Sequence, residues 1–150
     1  MARTNYSMEF DPATSARAKG SELHIPTKPC REICRAIKGM KLQAAQIYLQ
    51  GVSDIKIAVP FKRHNDSCGH RRGPMAAGKY PEKSAKEFLK LLKNIEGSAI
   101  FKGLEPARMK LVHAQTTQGR TIRGIMPRAQ GRATPKNTDT VNIEIVVKEV

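Results

Sequence analysis

Residues 105–139 read EPARMKLVHAQTTQGRTIRGIMPRAQGRATPKNTD, and they are the most informative segment of the chain. It is bounded by the runs Met109–Ala114 and Val141–Val147, which are rich in β-branched residues and are predicted to be strands. Two such strands joined by the intervening residues predict a long β-hairpin extension at about residues 112–141. Between Glu105 and Asp139 the stretch contains no acid, and its cations are Arg108, Lys110, Arg120, Arg123, Arg128, Arg132 and Lys136.

This basic hairpin has too little apolar surface to form a core of its own. Glycine and proline recur along it, at Gly119, Gly124, Pro127, Gly131 and Pro135. A segment of this composition does not bury enough surface to offset the entropy of ordering it. Arginine outnumbers lysine there, and its planar fork suits bidentate contact with phosphate. We therefore expect an external polyanion to order the hairpin.

The composition of the whole chain favours a nucleic-acid partner. The chain has 150 residues, consistent with a single domain over 1–150, and its net charge is +14. Such an excess repels itself unless a polyanion neutralises it. A membrane partner is not expected, since the sequence has no long apolar run and no signal peptide. Its three cysteines do not suggest a disulfide framework, so a reducing cytoplasm is the simplest setting. The low aromatic content, 5%, favours backbone contact over base stacking.

The periodicity of the remaining sequence predicts an α+β fold, with three helices packed on a small antiparallel sheet. Thr27 is predicted to cap the first helix, which carries Pro29 in its first turn and ends at Gly39. A polar tail at Ala2–Asp11, a strand at Thr14–Lys19, a second helix from Met40 to Gly51, a strand at Ile55–Phe61 and a third helix from Pro81 to Gly103 complete the prediction.

A second basic segment lies between Lys62 and Tyr80, where Asp66 is the one acid. Its candidate nucleic-acid contacts are Lys62, Arg63, His64, His70, Arg71, Arg72 and Lys79. The third helix adds Lys83, Lys86, Lys90 and Lys93, for which a solvated helix face and contact with RNA are both open interpretations.

The same segment contains the candidate metal cluster His64-x-x-x-Cys68-x-His70, whose imidazole and thiolate groups suit zinc. A fourth ligand is missing locally, and His113 or another cysteine would have to supply it, so no metal or other cofactor is predicted. Cys30 and Cys34 are one helical turn apart on the apolar stripe of the first helix and are interpreted as core residues. A Cys68–His70 dyad is the one catalytic arrangement worth naming, and the chain is predicted not to be an enzyme.

The chain resembles one family, the universal large-subunit ribosomal protein twenty-two in its archaeal and eukaryotic form. The resemblance rests on short sequence motifs that occur in the same order across most of the chain. These motifs include Arg31-Glu32-Ile33, Val59-Pro60-Phe61-Lys62 with His64-Asn65, Gly78-Lys79-Tyr80-Pro81-Glu82-Lys83, Pro127-Arg128-Ala129-Gln130-Gly131-Arg132-Ala133 and Val141-Asn142-Ile143-Glu144-Ile145. The tail before Asp11 and the loop from Lys62 to Tyr80 resemble the archaeal and eukaryotic branch.

The resemblance implies a structural constituent of the large ribosomal subunit that binds rRNA, supports assembly and lines the polypeptide exit tunnel. Its implied partners are large-subunit rRNA, neighbouring ribosomal proteins including ribosomal protein four at the tunnel constriction, and the nascent polypeptide. The tunnel-lining tip corresponds to Arg120, Thr121, Ile122, Arg123, Gly124, Ile125 and Met126. The residues themselves leave two rivals from other classes. One is an architectural DNA-binding protein whose basic hairpin embraces a duplex, and the other is a small RNA-modifying enzyme that uses Cys68 and His70.

Overall fold

The computed structural model describes residues 6–150 and confirms the predicted α+β class. Its three helices are α1 (Thr27–Ile37), α2 (Leu42–Ser53) and α3 (Glu82–Phe101). Its strands are β1 (Ser15–Leu23), β2 (Val59–Pro60), β3 (Gly78–Lys79), β4 (Met109–Ile122), β5 (Ile125–Pro127), β6 (Ala133–Pro135) and β7 (Thr138–Glu149).

The main sheet has three antiparallel strands in the order β1-β7-β4, so the last strand of the chain lies in its centre. β1 pairs with β7 from Ser15 opposite Lys148 to Leu23 opposite Val141. β4 pairs with the other edge of β7 from Met109 opposite Glu149 to Ile122 opposite Thr138. The pairing of β4 with β7 thus continues beyond the point where β1 ends, and a two-stranded ribbon leaves the sheet there.

The helices cover one face of this sheet. Alternate residues of β7, which point to the same face of a strand, are fully buried against them: Val141, Ile143, Ile145 and Val147. Opposite lie the apolar stripes of the helices, with Phe88 and Leu92 of α3 and Leu42 and Leu49 of α2 all fully buried.

Cys30 and Cys34 belong to this core, as predicted. Cys30 is fully buried, and Cys34 is buried beside it on α1. Burial raises the pKa of the Cys30 thiol to about 11 and that of the Cys34 thiol to about 12. Both thiols are therefore protonated at neutral pH and act as small apolar side chains.

Two local predictions are wrong. The run Ile55–Phe61 is not a strand, because Ile55 adopts a positive φ of 61° and the N–H groups of Lys56 and Ile57 turn back to the carbonyl of Gly51. The extended backbone is confined to Val59–Pro60. Thr27 does not cap α1 either: Pro26 occupies the cap position, and the buried Thr27 hydroxyl has no hydrogen-bond partner among the described residues.

The other face of the sheet is polar and is crossed by the chain segment that precedes β1. The Ser7 N–H donates to Glu144 at 3.0 Å, and the Ser7 hydroxyl lies 3.0 Å from His113 Nε2. Lys19 forms an ion pair with Glu144 at 3.0 Å, and Arg17 stacks over the Tyr6 ring at 4.8 Å. The part of the predicted tail from residue 6 onward therefore packs on the sheet, whereas residues 2–5 lie outside the described residues.

The ribbon beyond the sheet is called the arm here and comprises residues 119–140. A β-bulge at Gly119–Arg120 marks its base, where the ladder shifts from Gln118 opposite Val141 to Thr121 opposite Asp139. A Cβ atom at Gly119 would lie 2.5 Å from the Thr140 hydroxyl, so a larger residue there would displace the Thr140 side chain. From Gly119 to Gln130 the chain advances eleven residues, so the arm is at most roughly 35 Å long.

Candidate nucleic-acid interface

The arm is almost entirely exposed. Residues 120–139 are all exposed except Gly124, which is half-buried. Its apolar side chains are exposed to solvent as well, and Ile125 is 78% exposed. The arm also carries five cations against one carboxylate: Arg120, Arg123, Arg128, Arg132 and Lys136 against Asp139. An exposed ribbon of this kind is stabilised by its own ladder and has the charge to lie along a polyanion.

The chain reverses further along the arm than the sequence predicted. β5 pairs with β6 from Ile125 opposite Pro135 to Pro127 opposite Ala133, and the Arg128 N–H donates to the Arg132 carbonyl at 2.8 Å. The turn between them contains Gln130 and Gly131, both with positive φ. The end of the arm is therefore Arg128–Arg132, which corrects the predicted end at Arg120–Met126.

Arg120 in particular lies at the base of the arm. Its carbonyl accepts a hydrogen bond from the Thr140 hydroxyl at 2.7 Å, and its guanidinium lies 3.7 Å from the Glu22 carboxylate. Thr121 and Ile122 follow it in the ladder, while Arg123, Gly124, Ile125 and Met126 lie along the middle of the arm.

Four cations of the arm have no carboxylate partner among residues 6–150: Arg123, Arg128, Arg132 and Lys136. The guanidinium of Arg128 donates to the Thr134 hydroxyl at 3.2 Å, and that of Arg132 donates to the Gln130 side chain at 3.1 Å. These neutral partners orient the two arginines and leave their charge available to a ligand.

The second predicted basic segment is anchored on a buried carboxylate. Glu32 of α1 is 2% exposed and accepts N–H groups from Lys62, Arg63 and His64 at 3.3, 2.9 and 3.0 Å. Burial alone would raise the pKa of Glu32, but these three donors and the nearby Arg35 outweigh it and lower the pKa. Glu32 is thus ionised at neutral pH and fixes the backbone that carries Arg63 and His64.

The rest of this segment is a short irregular loop closed by β2 and β3. His70 pairs with Ala77 in an isolated bridge, and Arg71 donates to the Gly78 carbonyl at 3.2 Å while stacking over the Tyr80 ring. Lys79 lies over the Phe61 ring at 5.7 Å. The cationic side chains of this segment are exposed: Lys62, Arg63, Arg71, Arg72 and Lys79.

The four predicted lysines of α3 differ in their surroundings, and Lys93 is exposed without a carboxylate partner among residues 6–150. Lys86 forms an ion pair with Glu82, and Lys90 forms one with Glu87 at 2.7 Å, which favours the solvated-face interpretation for both. Lys83 instead lines a groove of about 730 Å³ between the body and the base of the arm. This groove also contains Lys28, Arg31 and Lys79, together with Gln118 and residues 137–139 of the arm.

α1 carries a basic face that was not predicted from the sequence. Lys28, Arg31, Arg35 and Lys38 follow one another at intervals of three, four and three residues and are all exposed. This spacing places them on one side of a helix. The spacing of these four cations is visible in the sequence, but the helix was interpreted from its apolar stripe alone.

The candidate metal cluster is not assembled in the part of the chain that the structure describes. No group of three or more His, Cys, Asp or Glu side chains within residues 6–150 is arranged to hold an ion. The Cys68 thiol donates to the backbone carbonyls of His64 and Asp66, at 3.5 and 3.6 Å. His113 is occupied on the polar face of the sheet by Ser7 and packs against Phe10.

None of the helices within residues 6–150 is long and apolar enough to cross a membrane.

The fold and the charged surface together are those of one class of protein, a small basic α+β body that projects a long β-hairpin arm. The family described as ribosomal protein L22p/L17e matches residues 18–148, and the chain belongs to this family. The family is structural and not enzymatic, in agreement with the sequence prediction.

Archaeal relatives match the chain along its whole length, which confirms the resemblance seen in the sequence. The large ribosomal subunit protein uL22 of Methanococcoides burtonii is 58% identical over 150 residues, covering 100% of this chain and 99% of that protein. The uL22 protein of Methanocella arvoryzae is 49% identical, with 100% and 99% covered. That of Archaeoglobus fulgidus is 45% identical, with 99% and 97% covered.

Proposed function

We propose that this protein is a structural component of the large ribosomal subunit that binds rRNA, supports subunit assembly and lines the polypeptide exit tunnel with the end of its arm. Family membership supports the ribosomal role, and with it a cytoplasmic location in the ribosome. The observation that carries the rRNA contact is the arm itself, an exposed ribbon whose cations lack carboxylate partners among the described residues.

The arm contributes contacts of two kinds. Arg123, Arg128 and Arg132 bind phosphates along the ribbon, because guanidinium groups pair with phosphate bidentately and stack on bases. The exposed apolar side chains Ile125 and Met126 pack against RNA or against the extended loop of a neighbouring protein, for which ribosomal protein four is the proposed partner. Contact with RNA buries both kinds of side chain at once.

The tunnel-facing residues are those at the end of the arm. Arg128–Arg132 form the reversal and so reach furthest from the body. Ile125 and Met126 precede them along the ribbon, whereas Arg120–Ile122 lie at its base and contact rRNA near the body. The nascent polypeptide therefore passes the turn around Gln130.

The body adds rRNA contacts beside the base of the arm. Lys62, Arg63, His64, His70, Arg71, Arg72 and Lys79 supply them from the second basic segment. Arg31 on the exposed face of α1 lines the same groove as His64 and Lys79, next to arm residues 137–139. An RNA strand that follows the arm toward the body enters this groove.

The test is the salt dependence of binding to large-subunit rRNA. Replacing Arg123, Arg128 and Arg132 together by Ala removes three phosphate contacts, so the slope of log affinity against log salt should fall by about two to three units. The matched control replaces Lys56, Lys86 and Lys90 by Ala, since each of these lysines already has a carboxylate partner in the body. An unchanged slope in the arm variant, or equal affinity for duplex DNA at matched salt, would contradict the proposal.

A further inference from the structure

A second basic cavity lies on the body, between α1 and β4. It is a cleft of about 320 Å³, and four of its lining residues are cations: Arg31, Arg35, Lys38 and Arg63. Its one carboxylate, Glu32, is already engaged by three backbone N–H groups and by Arg35 at 3.9 Å. The cleft therefore has an excess of positive charge that no group within residues 6–150 neutralises.

Two buried polar atoms of the lining residues lack an oxygen or nitrogen partner among the described residues. Thr116 of β4 is 8% exposed, and its hydroxyl interacts only with the Cys34 thiol, where it partly offsets the effect of burial on the pKa of that thiol. The Nε2 atom of His64 is likewise buried and unpartnered within residues 6–150. A buried polar group without a good partner is costly, so such groups mark places where a ligand supplies the missing bond.

The chemistry of the lining selects an anion with several acceptor oxygens. Guanidinium groups, an ammonium, a hydroxyl and an imidazole all donate hydrogen bonds, and a phosphate group accepts them from several directions. The cleft also shares Arg31 and His64 with the groove at the base of the arm. A polyanion that lies in the groove can therefore also contact the residues of the cleft.

We propose that this cleft is a binding site for one backbone phosphate of the rRNA, held by Arg31, Lys38 and Arg63 with Thr116 as a neutral hydrogen-bond donor. The proposal rests on the proposed function, since it requires that the protein binds rRNA, but it concerns a site separate from the arm. It assigns a binding role to the α1 face and to Thr116, which no motif in the sequence singled out.

The first experiment is the uncharged substitution Thr116→Val. Because the sulfur of Cys34 is a weak hydrogen-bond acceptor, removing the hydroxyl should leave the stability of the free protein unchanged or slightly raised. If the hydroxyl donates to a phosphate, the same substitution should weaken binding to large-subunit rRNA by about tenfold or more. Opposite effects on stability and on affinity support the site. An unchanged affinity for rRNA overturns the role of Thr116.

The second experiment removes charge from both walls of the cleft by combining Arg31→Gln with Arg63→Gln. The slope of log rRNA affinity against log salt should fall by about one to two units. The matched control combines Lys56→Gln with Lys86→Gln, whose cations pair with carboxylates away from the cleft, and should keep the slope. The phosphate site is overturned if the double arginine variant keeps its native circular dichroism spectrum and its salt slope is as steep as that of the control.

The source of the phosphate is distinguished by competition. Replacing chloride by inorganic phosphate at constant ionic strength should leave rRNA affinity within about twofold if the cleft takes a backbone phosphate as part of a longer strand. Inorganic phosphate that binds the native protein without lowering its rRNA affinity, and that does not bind the charge variant, would instead identify a free-phosphate site and overturn the rRNA assignment. The Arg123, Arg128 and Arg132 variant keeps the two proposals apart: if its slope falls and that of the cleft variant does not, the arm contact stands, whereas the cleft and the body contacts of Arg31 and Arg63 are wrong.

Discussion

Glu32 is the side chain that connects the core of this protein to its basic surface. It lies on α1 next to the buried Ile33 and holds the backbone of residues 62–64 through three hydrogen bonds. Because the carboxylate is nearly inaccessible, these bonds form away from competing water and are stronger than their surface equivalents. The position of Arg63 and His64 beside α1 therefore depends on one ionised group.

The substitution Glu32→Gln should destabilise the protein by about 1.5–3 kcal/mol at pH 7, because it removes charge-assisted hydrogen bonds. The lowered pKa of Glu32 also predicts a pH dependence. A carboxyl whose pKa is lower in the folded state stabilises the fold above its unfolded pKa, near 4.5, and loses this contribution as the pH falls through the folded pKa. Urea unfolding between pH 7 and pH 3 measures both effects. The free energy of unfolding should fall less over this pH range in the variant than in the native protein.

The control for this measurement is Glu105→Gln. Glu105 pairs with Arg108 at 2.9 Å, but both side chains are more than 60% exposed, 66% for Arg108 and 62% for Glu105. Its loss should change stability by no more than about 0.5 kcal/mol. A Glu32→Gln protein as stable as this control at pH 7 would contradict the anchoring role.

The arm is an element whose ladder continues the sheet but whose side chains bury almost nothing. Every residue from 120 to 139 is exposed except the half-buried Gly124. The body, in contrast, has a continuous core that includes all three helices and the main sheet. Folding of the body should therefore not depend on the arm.

Replacing residues 123–137 by Asn-Gly tests this independence. Ile122 and Thr138 are a paired position of the ladder, and a two-residue Asn-Gly turn is the favoured connection between such strands. The free energy of unfolding should change by only about 0.5–1 kcal/mol, since a shorter loop and the loss of exposed residues both have small effects. The salt slope of rRNA binding should fall by about three to four units, because four cations are removed.

The comparison for this variant is Ile143→Ala in the fully buried centre of β7, which should cost about 2–5 kcal/mol. It shows that the unfolding assay detects a residue that supports the core. An arm replacement that destabilises the protein as much as Ile143→Ala would mean that the arm is part of the folding unit.

The sequence predicted these elements unevenly, for physical reasons. The helices were found because their apolar stripes repeat at helical spacing, as Cys30, Ile33 and Ile37 do on α1. The end of the arm was misplaced because Gln130, a non-glycine residue, takes a positive φ of 62° in the turn, while Gly119 and Gly124 offered equally good local signals. The contacts of Glu32 with residues 62–64 are long-range, and no local pattern predicts them.

Taken as a whole, the molecule concentrates its unneutralised charge around a continuous surface. The cleft between α1 and β4 shares Arg31 and His64 with the groove at the base of the arm, and the groove includes Gln118 and residues 137–139. A net charge of +14 over 150 residues is far more than solubility requires. The charge and its arrangement fit a protein that is neutralised by RNA on the body and along the arm.

The most direct test of this account is sedimentation of the protein in a gentle cell lysate at high salt, with and without ribonuclease. The protein should travel with the large ribosomal subunit and leave that fraction only after the RNA is digested. The Asn-Gly replacement of residues 123–137 should shift a large part of the protein to the top of the gradient. Native protein found free at the top of the gradient, or held in a fraction that deoxyribonuclease and not ribonuclease releases, would contradict the account.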